Sequence, residues 1–109
     1  MQHSLINLKS DMKKVTRIEN DKFALYVGYS QTCLSCEIRM FEVSKVSPLV
    51  KELTCYKMDV NEAKDLISDL KICKIPFFIL SKDGQVVDVF YTYKSVEDLF
   101  IKLVKFVRS

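Results

Sequence analysis

A chain of 109 residues lies near the common size for one domain, so a single core spanning residues 1–109 is expected. Apolar residues make up 49% and charged residues 28%, with two glycines and two prolines, which argues against disorder and low-complexity tracts. The net charge of +3 comes from Lys and Arg scattered along the chain, and without a basic stripe nucleic acid is not expected as a partner. No run approaches the ~20 apolar residues of a membrane span, so no membrane association is expected. The first eight residues lack a charged n-region and hold only a brief apolar patch; no signal peptide and a cytoplasmic location are therefore expected.

In chain order, Met12, Val15 and Ile18 stand at helical spacing after Ser10, which predicts a helix over residues 10–18 with Ser10 as its cap. Residues 23–29, FALYVGY, form a nearly continuous apolar run that suits a strand covered on both faces. From Cys33 a helical pattern runs through Ile38, Met40, Phe41 and Val43 to about Val46. Ser47-Pro48 then reads as a cap and first-turn proline opening a short helix through Leu53. Residues 55–60 read as a strand, and Asn61 as the cap of a helix carrying Ala63, Leu66, Ile67 and Leu70 on one face.

Pro76 introduces a strand at Phe77, Lys82-Asp83-Gly84 makes a tight turn, and residues 85–91 return as the hairpin partner. Ser95 followed by Glu97 and Asp98 marks the start of a closing amphipathic helix to Arg108. Val96, Leu99, Phe100, Leu103 and Val107 form its expected buried face, and Ile101 and Val104 widen the apolar stripe. The order predicts an α/β fold, with two parallel units and an antiparallel hairpin in one mixed sheet flanked by helices.

Four cysteines stand at 33, 36, 55 and 73. Cys33 follows a strand and a short polar loop and opens a helix, where unpaired N–H groups and the positive end of the dipole favour thiolate over thiol. Cys36, one turn later, is placed to close a disulfide ring with it. Thiol–disulfide exchange is the expected chemistry, with Cys33 as nucleophile and Cys36 as resolving thiol. A zinc or iron–sulfur site uses the same C-x-x-C spacing, but no second close pair is present and the one histidine is His3. A binding or adaptor module that keeps the cysteines without turnover is the rival from another class. Cys55 reads as core, and Cys73, three residues before Pro76, as a filler or a second reactive thiol.

Beyond the motif, the strand-loop-CxxC-helix start, Lys57-Met58-Asp59-Val60 as the next strand, Ile75-Pro76 before a strand, Asp83-Gly84 in a hairpin and the closing helix resemble thioredoxins from Phe23 onward. The resemblance implies a thioredoxin fold and a protein-disulfide oxidoreductase, most simply a reductase. It acts on protein or small-thiol disulfides, drawing electrons from a reductase or thiol donor. It binds no organic cofactor and no metal, and a monomer is expected. It implies a cis Ile75–Pro76 bond, which local chemistry alone would not predict. By the same resemblance Thr32, Leu34, Ser35, Ile75 and Pro76 are the expected substrate-contacting residues. This chain also departs from thioredoxins. Thr32 stands where they carry tryptophan, Leu34-Ser35 replaces Gly-Pro, Val27 takes the place of a buried acid, and Thr92 replaces a glycine. Glu37 follows Cys36 where a basic residue is more usual. These departures imply a specialised or slower reductase.

Overall fold

The computed structural model describes residues 12–109. His3 and the expected cap Ser10 lie outside them. Five strands form one sheet in the order β1-β3-β2-β4-β5: β1 Lys13–Lys14, β2 Phe23–Tyr29, β3 Thr54–Asp59, β4 Phe77–Lys82 and β5 Gln85–Phe90. β3 runs parallel to both β1 and β2, whereas β4 is antiparallel to β2 and to β5. Helices α1 (Leu34–Val46), α2 (Lys64–Asp69) and α3 (Val96–Arg108) complete the α/β architecture. No helix among the described residues is long and apolar enough to cross a membrane.

All seven residues of β2 are buried, as its unbroken apolar run predicts for a central strand. The period of two divides them. Phe23, Leu25, Val27 and Tyr29 join the core under α1 and α3, and Ala24 and Tyr26 join the core on the opposite face with Phe77 and Ile79. A Cβ on Gly28 would overlap the ring of Phe77, its cross-strand partner, so only glycine allows this pairing.

The helix expected over residues 10–18 is not formed in the described part. Lys13 and Lys14 pair with Tyr56 and Lys57, and the Val15 N–H donates to the Lys57 carbonyl at 3.0 Å. Met12 is buried in one core and Val15 in the other. That is the alternation of a strand, and the exposed edge of β3 outweighs a weak helical spacing. The crossover to β2 is held by side chains instead: Glu19 N–H donates to the buried Tyr26 hydroxyl at 2.7 Å, and the Tyr56 hydroxyl donates to Asp21.

Two caps also differ from expectation. Ser47-Pro48-Leu49 makes a single 3-10 turn without a side-chain cap, and the chain turns again at Val50 and Leu53 rather than continuing as a helix. Asp59, not Asn61, supplies the cap after β3: its carboxylate accepts from Asn61 N–H at 2.9 Å and opens a 3-10 turn, Val60–Glu62. α2 then starts without a side-chain cap. It ends at Asp69 with Leu70 as its cap, and the φ of 56° at Lys71 lets Ile72 N–H reach back to the Ile67 carbonyl at 3.0 Å.

The hairpin and closing helix form as expected. Asp83 (φ 53°) and Gly84 (φ 80°) make the two-residue turn between Lys82 and Gln85. A bulge opposite Leu80 and Ser81 leaves Val87 exposed. Ser95 Oγ accepts from Asp98 N–H at 3.1 Å, and Leu99 and Leu103 are fully buried, each contributing about 1.5–3 kcal/mol by leaving water.

Candidate active site

Strand register gathers the site. Pairing of Gly28 with Phe77 puts Pro76 at the sheet end where β2 runs out into residues 30–32. Pairing of Tyr29 with Asp59 and of Phe78 with Phe90 brings the ends of β3 and β5 to the same place. Asp59 is buried, and its second carboxylate oxygen accepts from the Gln31 side chain at 3.5 Å, tying the loop before Cys33 to β3. Sequence reading missed this role; the signal was an acid at a strand end two residues before Asn61.

Cys33 is the N-cap of α1, with φ −97° and ψ 102°. Its Sγ accepts from Cys36 N–H at 3.2 Å and lies 3.4 Å from Ser35 Oγ, while its carbonyl accepts from Glu37 N–H at 3.3 Å. A sulfur that takes a helix-terminal N–H at the positive end of a 13-residue helix is stabilised as an anion when reduced. Cys33 and Cys36 are joined as a disulfide, with Cα atoms 5.3 Å apart. The two sulfurs are not equivalent. Cys33 is partly exposed, whereas Cys36 is fully buried with Met40 and Val43 on the inner face of α1.

Around the pair, Thr32, Leu34 and Ser35 are exposed, Leu34 to 72%. Ile75 is 38% exposed, Pro76 is partly buried, and the bond between them is cis. Ile38, one turn after Leu34, is also half exposed and extends the apolar surface along α1. Val27 is fully buried and pairs with Lys57, so no carboxylate stands at that point of the sheet. Lys57 is partly buried and Thr92 exposed.

A polar cluster braces the helix from behind. Glu42 Oε1 accepts from Arg39 at 2.6 Å and from the Tyr93 hydroxyl at 2.5 Å, and the Arg39 guanidinium lies 5.2 Å from the Tyr93 ring centre. Arg39 and Glu42 stand at the i,i+3 spacing of a helical ion pair, but no local pattern marks Tyr93, 51 residues from Glu42, as the third member. Burial pushes the Glu42 carboxyl up, but the bonds from Tyr93 and Arg39 outweigh this and hold it below its ordinary value. Burial, then Glu42, pushes the Tyr93 hydroxyl well up.

Of the other thiols, Cys73 is exposed and Cys55 is partly buried; burial pushes the Cys55 thiol up to about 11 despite a hydrogen bond with Ser47. Among the described residues no group of three or more His, Cys, Asp and Glu side chains is arranged to hold a metal ion.

A mixed sheet that presents a helix-capping CxxC pair beside a cis-proline loop defines a thiol–disulfide oxidoreductase. The Thioredoxin family model matches residues 7–105, and the chain belongs to that family. Thioredoxin-like protein YusE of Bacillus subtilis is 27% identical over 87 residues, covering 80% of this chain and 81% of that protein. Thioredoxin-1 of Caenorhabditis elegans is 29% identical, with 73% and 70% covered. Oxidised mitochondrial thioredoxin 3 from Saccharomyces cerevisiae superposes with a TM-score of 0.77 at 19% identity, over 90% of this chain and 98% of that one.

Proposed function

We propose that the chain acts as one domain over residues 1–109, a monomeric, cytoplasmic dithiol reductase, with Cys33 as nucleophile and Cys36 as resolving thiol. The difference in exposure between the two sulfurs carries this reading: the accessible one meets substrate, and the buried one is reached only from inside. The Cys33 thiolate attacks one sulfur of a substrate disulfide, and the substrate's other sulfur leaves as a thiolate. Cys36 then attacks Cys33 Sγ, closing the ring and releasing the second substrate sulfur, which takes the Cys36 proton. A partner reductase or small thiols return two electrons. No organic cofactor takes part, because the sulfurs carry the electrons.

Thr32, Leu34 and Ser35 border the attacking sulfur, and the Ile75 backbone ahead of Pro76 offers an edge for an extended substrate. Val27 puts no carboxylate at its buried position to take the Cys36 proton, which favours slower resolution than in an ordinary thioredoxin.

Trapping with Cys36→Ser tests the assignment. A disulfide-containing protein substrate accumulates as a mixed disulfide on Cys33 in that variant, and Cys33→Ser yields none. Trapping by Cys33→Ser alone would reverse the roles, and equal trapping by both variants would abolish the distinction. A reduction potential near about −270 mV supports the reducing direction, and one far higher overturns it.

A further inference from the structure

At the end of the molecule opposite the cysteine pair lies a groove of about 610 Å³ between the 3-10 turn at Ser47–Leu49 and the last turns of α3. Both α1 and α3 start at the Cys33 end and run 13 residues away from it, about 20 Å at the helical rise, so this surface is free while the thiols react. Val50, Phe100, Val104 and Val107 line it, and Leu49 and Ile101 stand at its sides, 67% and 49% exposed. An apolar lining flanked by exposed aliphatics is uncommon on a surface without a partner.

The charges around it are uneven. Lys51 approaches from one side and Lys105 and Arg108 from the other, against the single acid Glu52. None of the three cations has an acidic partner among the described residues, whereas nearby Lys102 is paired with Asp88 at 3.1 Å. The α3 dipole accounts for Lys105 and Arg108 in its last turn. It accounts neither for Lys51 on the facing wall nor for the bare aliphatics.

We propose that this groove docks an acidic amphipathic segment of a partner protein, its apolar side chains seated between Leu49 and Ile101 and its carboxylates meeting Lys51, Lys105 and Arg108. A second copy of the chain does not fit, because a symmetric contact would face this cationic patch with itself. A flat anionic bilayer matches a concave surface less well than a ridge of side chains does.

The test titrates the full chain, with labelled amides, with a synthetic helical peptide bearing leucines on one face and glutamates on the other. The same peptide with lysines in place of glutamates, and anionic and neutral vesicles, are run beside it. Expected are amide shifts confined to residues 49–52 and 100–108 and an affinity that falls with salt. Ile101→Glu and Lys105→Glu, both at exposed positions, each weaken binding about tenfold or more. Their rates of Cys33–Cys36 disulfide exchange stay unchanged. The proposal is overturned by equal binding of both peptides, by shifts elsewhere, or by no binding at about millimolar peptide. It is equally overturned by preference for anionic vesicles, by a dimer that Ile101→Glu dissociates, or by contacts from residues 1–11 already filling the groove.

Discussion

Tyr93 donates its hydroxyl to Glu42 over 2.5 Å, joining residues 51 apart in sequence and fastening the segment between β5 and α3 to the middle of the helix that carries both active cysteines. The same Glu42 oxygen also receives Arg39, so loss of one donor leaves the carboxylate with half its support.

Replacing Tyr93 by Phe is expected to destabilise the protein by about 1–2 kcal/mol, measured by urea unfolding near neutral pH. The pH dependence follows from both partners. Glu42 has a lowered folded value, so its contribution is complete above the unfolded carboxylate value of about 4.3 and is lost as pH falls through the lower folded value. Tyr93 has a raised folded value, so its contribution is complete below the unfolded phenol value of about 10 and is lost as pH rises through the higher folded one. The gap between wild type and variant therefore stays constant between about pH 5 and 9 and narrows in acid. A gap that is absent at neutral pH would mean that the hydroxyl contributes nothing.

Val27→Asp places a carboxyl among Leu25, Phe78 and Cys36 in a fully buried position. With only the partly buried Lys57 beside it in register, the acid is expected to cost about 2–4 kcal/mol at neutral pH. Burial raises its folded value, so the penalty grows as pH climbs past the unfolded carboxylate value and shrinks towards pH 4. If the introduced acid accepts the Cys36 proton, resolution of the mixed disulfide formed with Cys36 intact accelerates despite the lower stability. Stopped-flow decay of that intermediate in both proteins measures it, and equal rates would remove the account of Val27 given above.

In the oxidised protein two thiols remain, and they differ in access. Cys73 is exposed, and Cys55 is partly buried with its thiol pushed up to about 11. A chromogenic aromatic disulfide at neutral pH is therefore expected to titrate one thiol quickly, with the second appearing only on unfolding. Cys73→Ser abolishes the fast phase. Two fast thiols in the native protein would contradict the burial of Cys55.

Much of the site was legible because its chemistry is local. Cys33 and Cys36 lie within one turn of one helix, the β2 run is apolar throughout, and Asp83-Gly84 and Ser95 are turn and cap residues acting on their own neighbours. Elements that depend on distant partners were misread. Met12 and Val15 satisfy a helical spacing on paper, yet the free edge of β3 at Tyr56 and Lys57 claims that segment as a strand. Asn61 has the chemistry of a cap, yet Asp59 performs it, since the end of β3 holds that carboxylate in place.

Residue order alone set where the thiols stand, which segments are buried on both sides, and what reaction two cysteines at a helix start can carry, because each rests on neighbours within a few positions. Three-dimensional packing decided that Cys36 is sealed while Cys33 is reachable, that Tyr93 reaches Glu42, and that α3 and Leu49 leave a cationic groove between them. Those outcomes depend on strand register and on how helices seat against the sheet, and no short stretch of chain encodes either.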